Sequence, residues 1–310
     1  MVEKVKEKIF YFSNLRQFDQ KDFGGIIVFF TAFYFAAASI LLFWKNAVFS
    51  SWQLVVSAIV VLLALHKNRG FWRDWLPFLF LFLSYEFLRG LIPSVGAAVN
   101  IYPMVDFDRS LFGYLPTLEL QKIFYSPEAF RWYDYASAAL YSVHLLVPLL
   151  AGMFIYLKNK AVFRRYTFAV VIVSYASFMT YILYPAMPPW FASQQGYIAP
   201  LHKIISEMAA AFGQPSAMPA VYKYLGVNVN AAVPSLHATY PFLVLLFSAK
   251  YFPRFVLWSI LYVFGIWFAV VYLGEHYFAD IIVGTLYAIA GFVLSLYLFS
   301  NRHSQKTEFL

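Results

Sequence analysis

The chain has 310 residues, of which 62% are hydrophobic and 12% charged, and a net charge of +8. A soluble domain carries about 25% charged residues, so one soluble core cannot bury this much apolar surface and lipid must cover much of it. The 23 Lys and Arg fall between apolar runs, which points to orientation in a membrane and away from nucleic acid; with no cysteine, disulfides, thiolate metal sites and cysteine nucleophiles are excluded.

Residues 1–23 mix acidic and basic side chains, with Val5, Ile9 and Phe12 at helical spacing and no small-residue cleavage site following. They are expected to form an amphipathic cytoplasmic segment on the membrane surface, not a cleaved signal. Eight apolar runs then have lengths close to those of membrane spans: 24–44, 48–65, 74–92, 134–157, 166–184, 237–252, 255–273 and 277–300. The expected fold is an all-α integral membrane protein of about eight transmembrane helices. The first three spans occupy 24–92, an outer interfacial segment 93–133, the other five spans 134–300 with an outer loop at 185–233, and a cytoplasmic tail 301–310. With the N-terminus inside, 16 of the 23 Lys and Arg fall in cytoplasmic segments, which satisfies the positive-inside rule with both termini cytoplasmic. His237, His276 and Asp280 then meet at the outer face.

Within the outer segments, Ser126-Pro127-Glu128 reads as a helix start: a capping serine, proline at the first position and an acid in the first turn. A helical patch is expected over 201–212, and Pro188-Pro189-Trp190 reads as an interfacial anchor.

The chemistry is concentrated in two short stretches. Gly274-Glu275-His276-Tyr277-Phe278-Ala279-Asp280 places a histidine and an aspartate one helical turn apart at the mouth of a span, where ionisable groups are costly. Asp280 can hold the His276 tautomer and make the other ring nitrogen a better nucleophile. The same pair can serve as a plain interfacial contact, and with His237 it could bind zinc. In Val233-Pro234-Ser235-Leu236-His237, Pro234 can open a helix whose free N–H groups, with the Ser235 hydroxyl, would receive a phosphate; His237 can protonate a leaving oxygen. Arg89 offers a guanidinium to the phosphate, steadied by Glu86, with Tyr85 on the same face; Arg89 and Glu86 can equally be a buried pair. His144, without an acidic neighbour, reads as structural, His202 as solvated, and Asp106, Asp108 and Arg109 as a local turn network.

These stretches resemble the second and third signature motifs of the type 2 phosphatidic acid phosphatase superfamily. Tyr85-Glu86-Phe87-Leu88-Arg89-Gly90, Asp108-Arg109-Ser110-Leu111-Phe112-Gly113 and Tyr184-Pro185-Ala186-Met187-Pro188-Pro189-Trp190 resemble its inositol-phosphotransferase-like branch, which includes inositol phosphorylceramide synthases. The resemblance implies a six-helix core, His276 as nucleophile, Asp280 as its orienter, His237 as general acid, and neither metal nor cofactor. It departs at Val270, where the superfamily's phosphatases carry arginine six residues before the nucleophile, and at the first motif, where Arg89 is followed by Gly90. The function implied is transfer of a phosphate-containing headgroup, phosphoinositol among the candidates, between membrane lipids through a phospho-histidine. A lipid phosphatase, using water as acceptor, is the alternative; a transporter with a proton relay is another.

Overall fold

The computed structural model describes residues 69–89, 98–211 and 230–299. The expected spans 24–44 and 48–65, the N-terminal segment and the C-terminal tail lie outside the described residues. The chain divides into two compact units between Leu76 and Pro77, and the candidate site lies in the second. Among the described residues every regular element is helical, and extended pairing is confined to the bridges Asn100–Ala186 and Ala186–Ala231.

Helix α1 runs Arg69–Arg89. Two short helices follow, α2 (Tyr102–Phe112) and α3 (Pro116–Phe124), each with proline in its first two positions, where its missing N–H costs nothing. Met104, Val105 and Asp108 of α2 are buried, while Tyr102, Phe107 and Leu111 are exposed. That division suits a helix lying along a membrane surface.

The expected helix start at Ser126 is not used. Helix α4 begins at Trp132 (Trp132–Ser142), because buried Asp134 accepts the Arg131 backbone N–H at 2.6 Å and so caps the later position. The expected single span 134–157 is also corrected. It is broken into α4 and α5 (Leu146–Lys158), bent by 61°. Pro148 is the cause: its ring clashes with a helical carbonyl four residues back, which is that of His144, in the break.

Helix α6 (Lys160–Leu183) starts six residues before the expected span, because the Asn159 side chain accepts the N–H groups of Ala161 and Val162 at 2.9 and 3.1 Å. The loop after α6 carries α7 (Pro189–Gln194) and α8 (Ile204–Ala211), the latter within the expected patch. Helices α9 (Leu236–Tyr251), α10 (Val256–Tyr272) and α11 (Phe278–Leu298) complete the described chain, close to the last three expected spans.

Among the described residues α6, α10 with its leading turn, and α11 are long and apolar enough to cross a membrane, and the bent α4–α5 pair adds a fourth if counted as one broken span. Helix α9 has 16 residues, roughly 24 Å at 1.5 Å per residue, short of a hydrocarbon core of about 30 Å. It is the most enclosed helix, packed against α6, α10 and α11. Leu257, Leu261 and Phe264 of α10, and Leu286, Val293 and Tyr297 of α11, are exposed. Their helical spacing makes apolar outer stripes that lipid would cover.

Buried hydroxyls stitch the helices. Tyr166 donates to the Pro148 carbonyl at 2.8 Å, and Ser174 pairs with the Tyr240 hydroxyl at 2.8 Å. Thr239 donates to the carbonyls of Ser235 and Gly284 at 2.8 and 3.0 Å, joining α9 to α11. Gly284 is the point of closest approach: a Cβ there would lie 2.5 Å from the Ser235 carbonyl oxygen. Gly284→Ala is therefore expected to cost about 1–3 kcal/mol, as overpacking does, and to lower turnover by parting α9, which carries His237, from α11, which carries Asp280. Thermal melts and turnover of the detergent-purified variant check this; an unchanged melt with full turnover contradicts it.

Candidate active site

The site sits where the N-termini of α9 and α11 meet the C-terminus of α10. Residues 273–277 form a tight turn between α10 and α11. The Val270 carbonyl accepts the N–H groups of both Glu275 and His276, at 3.0 and 3.1 Å. Gly274 has φ +82°, the left-handed region, and its carbonyl accepts the Trp190 N–H at 2.9 Å. A side chain there would also meet Leu201 at 3.0 Å and the His202 carbonyl at 3.2 Å, so glycine is required twice over. Gln121 of α3 clamps the same turn. Its amide donates to the carbonyls of Tyr272 and His202 at 2.9 and 2.8 Å, and its oxygen accepts the His202 N–H at 2.8 Å.

This turn delivers His276. Its Nδ1 lies 3.1 Å from Oδ2 of Asp280, which also accepts the Tyr277 N–H at 2.9 Å. A carboxylate only accepts, so in the neutral ring Nδ1 carries the proton and the lone pair lies on Nε2. Nε2 faces Nδ1 of His237 at 3.3 Å. His276, His237 and Asp280 are all buried, Asp280 completely. The three sequence-predicted residues thus come together from two segments about forty positions apart.

Ser235 stands at the cap position of α9, and α9 begins at Leu236, so Pro234 precedes the helix and does not open it. The Ser235 N–H donates to the Asp280 carbonyl at 3.1 Å, which ties the two motifs through the backbone. Its buried hydroxyl has no hydrogen-bond partner among the described residues. The Tyr181 hydroxyl holds the Pro234 carbonyl at 2.7 Å. Tyr85, Glu86 and Arg89 belong to the last turns of α1, but their side chains lie outside the described residues.

Several neighbours were not legible in the sequence. Tyr141 stacks on His237 with ring centres 4.3 Å apart and planes 12° apart. His144 lies against the same ring at 3.8 Å, its Nδ1 held by the Tyr141 carbonyl at 2.9 Å. Tyr141 lies in the last turn of α4 and His144 in the break between α4 and α5. Glu275 is buried beside the nucleophile candidate, in reach of the Tyr141 hydroxyl at 3.4 Å. Burial pushes its carboxyl up, against the opposing pull of Lys203 and His276. Burial likewise lowers the Lys203 ammonium, whose Nζ sits 3.3 Å above the Trp190 ring, and Glu275 opposes that shift. The Pro-Pro-Trp stretch therefore packs over the turn that carries His276. His202 pairs with Glu207 at 2.9 Å and is half-exposed.

The expected local turn network at Asp106, Asp108 and Arg109 is corrected. Asp108 is fully buried, and its two carboxylate oxygens accept the N–H groups of Phe278 and Ala279 at 2.9 Å each. It therefore caps α11 from 170 residues away. Among the described residues no group of three or more His, Asp or Glu side chains is arranged to hold a metal ion.

A family model for the PAP2 superfamily matches residues 103–294, well over half of the chain, including Asp108, His237, His276 and Asp280. The chain belongs to the PAP2 superfamily. Among curated PAP2 relatives, it is 26% identical over 235 residues to a phosphoinositol dihydroceramide synthase of Bacteroides thetaiotaomicron, covering 72% of this chain and 75% of the relative. It is 25% identical over 175 residues to an inositol phosphorylceramide synthase of Candida albicans, covering 53% of this chain and 36% of the relative. It is 28% identical over 126 residues to the catalytic subunit of inositol phosphorylceramide synthase of Saccharomyces cerevisiae, covering 37% of this chain and 30% of the relative. The chain thus spans about a third of each fungal protein. No solved structure matches it.

Proposed function

We propose that this chain is a membrane lipid phosphotransferase that moves a phosphoinositol headgroup from a glycerolipid donor onto a ceramide-type alcohol. The observation that carries the proposal is the His276 ring. It is tautomer-fixed by Asp280 and turned toward His237, in a PAP2 chain whose curated relatives include inositol phosphorylceramide synthases.

The chemistry follows from the protons. Nε2 of His276 attacks the phosphorus of the donor phosphodiester. The bond to the glycerolipid oxygen breaks, and that oxygen takes its proton from His237. The headgroup phosphate is then held on His276 as a phosphoramidate, while Asp280 balances the charge on the ring. The acceptor hydroxyl gives its proton to His237 and attacks phosphorus, and Nε2 leaves. The two imidazoles now touch at 3.3 Å, so entry of the phosphate must part them.

Charge supports a diester donor. Val270, where the superfamily's phosphatases carry arginine, uses only its backbone carbonyl at the site. A phosphodiester carries one negative charge and a phosphomonoester up to two, so fewer cations suffice. Arg89 and the Ser235 hydroxyl are assigned to the phosphate, with Tyr85 and Glu86 supporting Arg89.

The site is assigned to the extracytoplasmic face, with both termini cytoplasmic and eight spans in all. Lys250 and Arg254 lie at the far end of α9, and Arg165 donates there to the Tyr251 hydroxyl at 2.7 Å and the Phe299 carbonyl at 3.2 Å. Basic residues thus gather at the end opposite the histidines.

The test supplies purified protein with phosphatidylinositol labelled in its headgroup and with ceramide. Label is expected to move onto ceramide, with little free phosphate released. Release of inorganic phosphate from phosphatidic acid, with no transfer to ceramide, would favour the phosphatase reading instead.

A further inference from the structure

We infer that Asp108 is a positioning residue for the reaction: from the interfacial helix α2 it fixes the first turn of α11, and so the aim of Asp280 and His276. The inference rests on the proposed phosphotransfer at His276.

A helix begins with four backbone N–H groups that have no partner within it, and in a dry site each must find one. Within its own first turn, helix α11 answers only one of these groups. Its cap position is Tyr277, whose side chain makes no cap bond. Asp280 reaches back to the Tyr277 N–H, and that oxygen is the same one that meets His276. The N–H groups of Phe278 and Ala279 are left to Asp108, at 2.9 Å each. The catalytic contact is therefore one member of a set of first-turn bonds that a residue from another segment completes.

The rest of α2 braces this arrangement. Met104 and Val105 share a core cluster with Tyr277 and Ala279, and Phe112 meets Phe278 edge-on at 5.0 Å and 87°. The other face of α2 exposes Tyr102, Phe107 and Leu111. The element that holds the catalytic turn is thus the one placed to lie on the membrane surface.

An Asp108 that merely added stability would lower the amount of folded protein and leave turnover per folded molecule unchanged. A positioning Asp108 predicts a different pattern. Asp108→Ala is expected to lower kcat about 10- to 100-fold with KM within about threefold, the cost of misplacing a reacting group. Asp108→Asn keeps one acceptor oxygen and is expected to fall in between.

Acid supplies another readout. Burial raises the Asp108 carboxyl to about 6, opposed by its two backbone hydrogen bonds, with the Asp280 charge adding to the rise. The charged or titratable groups around it are Asp280 and Tyr277 from the α11 side and Arg109 on its own helix. A raised carboxyl favours the folded state at low pH, and that contribution is lost as pH rises through about 6. Capping by both oxygens needs the charged form. On acidification through about 6, the Asp108 contribution to stability therefore rises while its contribution to turnover falls. Both components should be missing from Asp108→Asn.

The deciding experiment pairs kinetics with amide hydrogen exchange over residues 277–281 in the full chain. Faster exchange there in Asp108→Ala, with kcat lowered and KM held, supports the inference. Native exchange in that turn with native kcat overturns it. If wild-type protein moves no headgroup, the proposed function fails, and the exchange measurement alone still decides whether Asp108 fixes the turn. If the alanine variant does not fold, Asp108→Asn carries the same comparison.

Discussion

Replacing His276 with alanine is expected to abolish headgroup transfer, by at least about 10⁴-fold, and to leave the protein folded. The size follows from the role. If Nε2 of His276 forms the bond to phosphorus, no other group can take over its step. The nearest candidate is His237, but its ring is stacked on Tyr141 at 4.3 Å and packed against His144 at 3.8 Å, and its Nδ1 points at His276. It is held as a partner to the first ring. Folding should survive, because the turn is built from backbone contacts that alanine keeps, including the His276 N–H to the Val270 carbonyl. Asp280→Asn tests the next layer. An asparagine oxygen could still accept from Nδ1, but without the charge that stabilises the ring in transit, and a loss of about 10²–10⁴-fold is expected. Turnover near wild type in the alanine variant, measured on a matched amount of folded protein, removes His276 from the chemistry.

The other large effect is expected at His237. As general acid it protonates the departing glycerolipid oxygen, and acid–base catalysis of this kind contributes about 10²–10⁴-fold. His237→Ala should lose that factor on a natural donor. It should lose far less on a nitrophenyl phosphodiester, whose leaving group departs without a proton. The comparison separates chemistry from packing, because a collapsed site would lose both substrates equally. Equal losses on the two donors would assign His237 to structure, as a stacked ring between Tyr141 and α11.

The pair His276–Asp280 and its approach to His237 were legible because they depend on short-range order. His276 stands just ahead of α11 and Asp280 in its first turn, near enough in sequence to meet whatever the rest of the chain does, and the charge bias was the ground for expecting both motifs at one level. The last three expected runs were legible as helices for a similar reason: long apolar runs ended by Pro253 and by the Gly274 turn. What was not legible depends on tertiary contact. Asp108 carries no local sign that it caps a helix beginning at residue 278; its neighbours Asp106 and Arg109 suggested a local network instead. The Ser126 start was overruled by Asp134, which also accepts the Tyr272 hydroxyl and so gains from being buried. The break at 143–145 could have been expected from Pro148, but the apolar run around it hid the signal.

The roof over the turn shows the same limit. Pro188-Pro189-Trp190 looked like an anchor because tryptophan suits a membrane boundary. Its backbone also bonds Gly274, and its ring carries Lys203, whose charge favours the buried Glu275 carboxylate. Nothing in the spacing of residues 190, 203 and 275 foretells that meeting.

The phospho-histidine is the step on which the proposed function depends, and it can be looked for directly. Protein mixed with phosphatidylinositol labelled in the headgroup phosphate, in the absence of ceramide, is quenched in base and digested. Label is expected on the peptide containing His276, stable to base, released by acid, chased onto ceramide when it is added, and missing from His276→Ala. Transfer to ceramide with no labelled peptide at any quench time, or label equally present in His276→Ala, contradicts a covalent intermediate at this residue.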